Sequence, residues 1–159
     1  MTALDLVKEK LAYNQWANHQ MIEWLRQQKP EIYEKKVASS FPSINKLTQH
    51  IMEAEKYYFS ILLEEKKEYQ EEMSTEAVFE ELLEIDDQMV KWLSQQAPEG
   101  MGKIIHLKRS PFLETYSTAT ILTHTVNHST YHRGQLLALR QQLGMSAAPK
   151  LDYYRFFIN

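Results

Sequence analysis

Between residues 117 and 143 the sequence carries a helical stripe, Ile121, Thr125, His128, His132, Leu136, Leu139 and Leu143, in which imidazoles replace apolar residues on an inward face. A buried imidazole leaves two ring nitrogens to satisfy, so this face must meet another element that supplies partners, or a metal ion plus a further hydrogen-bonding group. Half of the six histidines in the chain lie here, at 124, 128 and 132, each four residues from the next. That spacing sets neighbouring imidazoles one turn apart, with Cβ atoms about 5–6 Å from each other. His124 and His132 are two turns apart, about 12 Å along the axis, so all three cannot hold one ion. Either His124 with His128 or His128 with His132 serves as a clamp, and a further ligand must come from elsewhere, with His50 the obvious candidate.

Three further helical patterns surround this one. Leu4, Val7, Leu11, Met21, Ile22 and Leu25 recur at three- and four-residue steps and predict a helix over 3–28, ended by Pro30. Asn14 and Asn18 interrupt its stripe and are read as a core edge or as a polar pocket wall. After an irregular connection over 31–42, Ser43 is the expected N-cap of a second helix reaching about Glu65, with His50 on the shoulder of its buried stripe. The charged run from Glu64 to Glu72 reads as a solvated helix end and linker. Ser74 or Thr75 caps a third helix to about Gln96. Asp86 lies on it, read as a residue at the rim of the core or as a carboxylate orienting a ligand imidazole.

A long connection over 97–115 follows, rich in Gly and Pro, with Ile104, Ile105 and Leu107 suggesting a short extended piece. From it His106, Lys108 or Arg109 can approach a site. The fourth helix is expected over 117–143, closed by Gly144. Gly134 within it costs about 1 kcal/mol relative to alanine, which suggests that another element or a substrate passes close. The aromatic segment from Leu151 to Asn159 is expected to pack along the bundle or across a subunit interface. Four helices with one long connection predict an all-α four-helix bundle, a fold that builds metal sites from inward side chains. A chain of 159 residues is expected to form a single domain, 1–159.

Composition narrows the function. The chain has no cysteine, which excludes disulfides, thiolate ligands and a sulfur nucleophile of its own. A net charge of −3 and the absence of a basic stripe argue against nucleic acid as a partner. No stretch approaches the run of about 20 apolar residues that spans a bilayer, and a cytoplasmic protein is expected. The HExxH base of zinc proteases is missing, since Ser129 follows His128, and the Glu-x-x-His pairs of di-iron bundles are missing too.

Tyr13-Asn14-Gln15-Trp16-Ala17-Asn18, Ser43-Ile44 leading to His50, Asn127-His128-Ser129-Thr130-Tyr131-His132-Arg133-Gly134-Gln135, and Pro149-Lys150-Leu151-Asp152-Tyr153 occur in that order. In order and spacing, across nearly the whole chain, they resemble the DinB family of DinB/YfiT-like four-helix metalloenzymes. The resemblance implies a divalent ion, zinc or nickel, held by His50, His128 and His132. His124 then becomes a neighbour, the candidate catalytic residue as a substrate contact or proton carrier. It also implies a homodimer. Proteins of this fold include transferases and isomerases that use low-molecular-weight thiols such as bacillithiol, mycothiol or glutathione.

Three neutral imidazoles leave a divalent ion its full charge and an open position. Such an ion can lower the pKa of bound water to about 7 or bind an external thiol. With no sulfur in the chain's own nucleophiles, transfer of a low-molecular-weight thiol to a small electrophilic substrate is the leading expectation. A metal-dependent hydrolase, or a non-catalytic metal or small-ligand binding protein, is the alternative.

Overall fold

The computed structural model describes residues 2–66, 68, 72–109 and 111–158. Part of the charged linker lies outside the described residues, as do the side chains of Lys108 and Arg109 and with them their expected approach to a site. Four long helices, α1 (Ala3–Arg26), α2 (Ile44–Leu63), α3 (Thr75–Ser94) and α4 (Thr118–Ala138), are joined by loops and by one hairpin, β1 (Ile104–Arg109) with β2 (Phe112–Ser117). A short α5 (Arg140–Leu143) follows α4. The bundle is therefore mostly helical rather than purely so.

Local chemistry sets the helix ends. Thr2 and Asp5 form a reciprocal capping box at the start of α1. Ser43, Ser74 and Ser117 cap α2, α3 and α4 by accepting from backbone N–H groups three residues on. α1 stops at Arg26, short of the expected Gln28, because Lys29 precedes Pro30 and must be extended, at ψ 132°. Pro30 then opens a short 3-10 helix, Pro30–Ile32. At the other end, α4 closes at Ala138 and Leu139 bridges to α5. Gly144, at φ 66°, ends α5 in a left-handed conformation that costs glycine little.

All four long helices contribute to one core, with Met21, Leu47, Ile51, Phe79, Leu82 and Leu136 among its most buried members. Each such side chain contributes about 1.5–3 kcal/mol on burial. The connection between α3 and α4 holds two strands, where the sequence suggested one extended piece. Their antiparallel register pairs Ile105 with Tyr116 and Leu107 with Glu114. Directly opposed residues share a face, so these four look toward the bundle. Ile104, His106, Leu113 and Thr115 take the outer face and are exposed. His106 is thus turned away, and its Nδ1 meets Thr115 Oγ1 at 3.3 Å.

The aromatic C-terminal segment lies along α1. Tyr13 donates to the carbonyl of Leu151 at 2.8 Å, and its ring meets Tyr153 edge-on at 5.0 Å. Phe156 packs against Trp16 at 6.0 Å, and Tyr153 bonds Glu9. No described element of this chain approaches Gly134 closely. The glycine is exposed, and a Cβ added there would meet nothing within 4 Å.

Candidate metal centre

α2 presents His50 from its shoulder, and α4 runs antiparallel beside it with His128 and His132 one turn apart. The ligating nitrogens of the three lie within 4.8 Å of one another. His50 Nε2 and His132 Nε2 face each other at 3.2 Å. Ring centroids are 4.4 Å apart for His128 and His132, 5.0 Å for His50 and His128. His132 is buried, while His50 and His128 are half-buried, so the cluster sits at the edge of the core with one side open.

Hydrogen bonding selects the tautomer of His132. Gln135 Oε1 lies 2.7 Å from His132 Nδ1, and an amide oxygen only accepts, so the proton is on Nδ1 and the Nε2 lone pair points at His50. That is the state a metal-binding imidazole requires, with the other ring nitrogen held by a hydrogen bond. Gln135 Nε2 reaches Tyr131 OH at 3.4 Å, and the Tyr131 ring lies edge-on to His132 at 4.9 Å. Phe41 closes another wall, 4.7 Å from the His50 ring and edge-on to His132 at 5.5 Å.

The same crowding disfavours protonation. Burial, then His132 and His50, then His124 push the His128 pKa down to about 4. Burial and then His132 lower that of His50. Neutral imidazoles keep their lone pairs, and His128 Nδ1 is buried without a hydrogen-bond partner. Three ring nitrogens converging within 4.8 Å, with His50 Nε2 facing His132 Nε2, fit a divalent cation better than they fit a hydrogen-bonded core.

His124 stands outside the trio. Its ring is 6.0 Å from that of His128 and packs edge-on to Tyr58 at 4.9 Å, exposed on the same seam between α2 and α4.

Asp86 is neither at the core rim nor an orienter of an imidazole. It is 1% exposed and accepts from Asn14 Nδ2 at 3.1 Å and Asn18 Nδ2 at 2.8 Å. The same two amides donate to Glu55 Oε1 at 2.9 and 3.1 Å, which Ser129 also bonds at 2.5 Å. Their oxygens each accept from Arg133 Nη1 at 2.7 Å, and Arg133 is 2% exposed. Asn14 and Asn18 are therefore not a core edge. They are relays that connect a buried guanidinium to two buried carboxyls, and burial followed by the Glu55 charge holds Asp86 well above the usual carboxylate range.

Sequence reasoning overlooked Phe41, Gln135, Glu55 and Arg133. Glu55 sits on the stripe Ile51, Glu55, Phe59, and Arg133 on Val126, Ser129, Arg133, Leu136, so polar residues at apolar positions were the available signal.

A four-helix bundle that gathers three imidazoles from α2 and α4 at its edge defines a helical protein with a candidate three-histidine metal site. The chain belongs to the DinB family, which it matches over residues 2–158. It is 29% identical to the protein DinB of Bacillus subtilis, covering 94% of this chain and 92% of that one. A DinB-like protein from Bacillus cereus shares the fold with a TM-score of 0.70 at 19% identity, over 87% of this chain and 91% of that one. YfiT from Bacillus subtilis is described as a probable metal-dependent hydrolase with an unusual four-helix bundle topology. It superposes with a TM-score of 0.70 at 11% identity, over 88% of this chain and 89% of YfiT. Among the described residues, no helix is long and apolar enough to cross a membrane.

Proposed function

We propose that this protein is a metal-dependent enzyme that transfers a low-molecular-weight thiol to a small electrophilic substrate, with His50, His128 and His132 holding a zinc or nickel ion. The observation that carries the reading is the convergence of three ring nitrogens within 4.8 Å, one with its tautomer set by Gln135. When bound, a divalent ion there supplies Lewis acidity at an open position, favouring the thiolate form of a thiol. The chain's own part is to orient and to exclude water. Gln135 holds the His132 ring, and Phe41 covers the cluster from the loop before α2. His124, one turn from His128 and exposed, is the candidate to take the S–H proton as the sulfur bonds the electrophilic carbon and to pass it to the atom that receives the electron pair of the bond broken there. The absence of cysteine supports an external thiol.

A hydrolase is the second reading, favoured by the fold shared with YfiT and by the capacity of a three-histidine ion to activate water. A cytoplasmic homodimer also belongs to the proposal, and the exposed Tyr154, Phe157 and Ile158 beside α1 offer apolar surface for it.

Metal content of untagged protein, purified without added metal, is the test. About one equivalent of zinc or nickel per chain is expected. Turnover of an electrophile only with added thiol supports transfer, and turnover without thiol supports hydrolysis. Folded apo protein that takes up no ion on titration would remove both.

A further inference from the structure

We propose that the hairpin and the α2–α4 seam form a substrate subsite for an uncharged aryl or compact branched alkyl group, one helical turn from the three-histidine cluster. The inference deepens the metal-enzyme reading and rests on it for the location of the reacting atom, but binding in the subsite is testable without it.

The subsite is a cavity of ≈ 150 Å³ whose walls come from three elements, with Tyr58 on α2, Leu107 and Tyr116 on the hairpin and Ile121 on α4. Thr120 and His124 complete its α4 side. An engineered cavity of about 150 Å³ with aliphatic and aromatic walls is known to hold benzene, which sets the size class. The strand register sets the hairpin's contribution, which includes Glu114. Leu107 and Tyr116 fall on the bundle-facing side of the ladder, and Leu107 is 9% exposed while Ile104 on the other face is 53% exposed.

Position ties this cavity to the metal centre. His124 lines it, and the His124 ring stands 6.0 Å from His128 on the same helix face. On the partner helix, Tyr58 lies eight residues beyond His50, and its ring meets His124 at 4.9 Å. The cavity thus adjoins the cluster along the seam, with the Tyr58 and His124 rings between the two. A substrate with its reacting atom at the cluster would place a side group in the cavity about one turn away. An anionic group is disfavoured there, because the Tyr58, Leu107, Tyr116 and Ile121 walls would strip its hydration.

The test is an NMR titration of the untagged full chain with benzyl alcohol and with 2-naphthylmethanol, which carries the same hydroxymethyl group on a bicyclic ring. Benzyl alcohol is expected to shift the Leu107 and Ile121 methyls and the His124 ring, and 2-naphthylmethanol to bind at least about tenfold more weakly. Thr120→Phe, an exposed position at the cavity, should weaken benzyl alcohol binding by about tenfold or more, and Leu107→Phe provides the same obstruction from the hairpin. His132→Ala should leave it within about twofold, which separates this subsite from the metal reading. The proposal is overturned by no shift at these residues up to about 10 mM, by equal binding of both alcohols, or by folded Thr120→Phe and Leu107→Phe that bind as the native protein does.

Discussion

His50 and His132, 82 residues apart in the chain, meet Nε2 to Nε2 at 3.2 Å. Two neutral imidazoles in that arrangement can share one proton between them. Because Gln135 holds the proton of His132 on Nδ1, the facing Nε2 is a bare acceptor, and a cation placed among the three rings satisfies what a single hydrogen bond cannot.

His132→Ala is therefore expected to abolish stoichiometric metal uptake, whereas His124→Ala retains the ion and impairs turnover or substrate binding. Mass-spectrometric metal content of the two untagged variants decides this. Loss of the ion from His124→Ala with retention in His132→Ala would mean that the wrong pair has been assigned.

Gln135→Ala should weaken metal binding by about 10–100-fold without unfolding the protein, because it frees the ring of His132 rather than removing a ligand. Competition against a chelator of known affinity measures the effect. An unchanged affinity would show that Gln135 does not orient the ring.

Arg133→Met should cost about 3–5 kcal/mol, since it leaves the Glu55 and Asp86 carboxyls and the relaying asparagine oxygens without their buried cation. Urea denaturation reports it, and a loss under about 1 kcal/mol would make the network dispensable.

The stripped protein should lose stability as the pH falls from about 6.5 toward 4, because unfolded imidazoles bind protons in that window while His128, with its pKa pushed down to about 4, stays neutral through most of it, and His50, lowered by burial and His132, contributes in the same sense. Asp86 acts in the opposite sense, since its raised pKa gives a contribution present at low pH and lost as the pH rises through the folded value. The comparison that isolates the histidine effect is native protein against His128→Gln, both freed of metal. The variant should lose less stability across the window, and parallel curves would refute the assignment.

Gly134→Ala should stabilise the monomer by up to about 1 kcal/mol, a rise in Tm of about 2–4 °C, because the position is mid-helix and open. A calorimetric scan that shows destabilisation would indicate that another surface occupies the space.

The helices, the Ser43 and Ser74 caps and the histidine spacing were legible in the sequence, because each depends on neighbours within a few residues. Ser43 and Ser74 act on N–H groups three residues ahead, and the one-turn spacing of His124, His128 and His132 follows from helical pitch, which leaves open which neighbouring pair binds. The second strand was less legible, since a short run such as Phe112–Ser117 becomes a strand only when it pairs with β1.

What the sequence by itself determined is thus the set of amphipathic helices and the residues able to ligate a metal. Only the tertiary structure decided what the remaining polar residues do. Asn14, Asn18, Glu55, Asp86, Ser129 and Arg133 each look like isolated faults in an apolar stripe, because a stripe records which face is buried and not the height at which it meets its neighbours. Packing α1, α2, α3 and α4 side by side brings the six to one level, where hydrogen bonds link charges that no single helix could bury. The same relative placement of α2 and α4 puts His50 against His132 and leaves His124 outside the trio, a choice that spacing along one helix could not make.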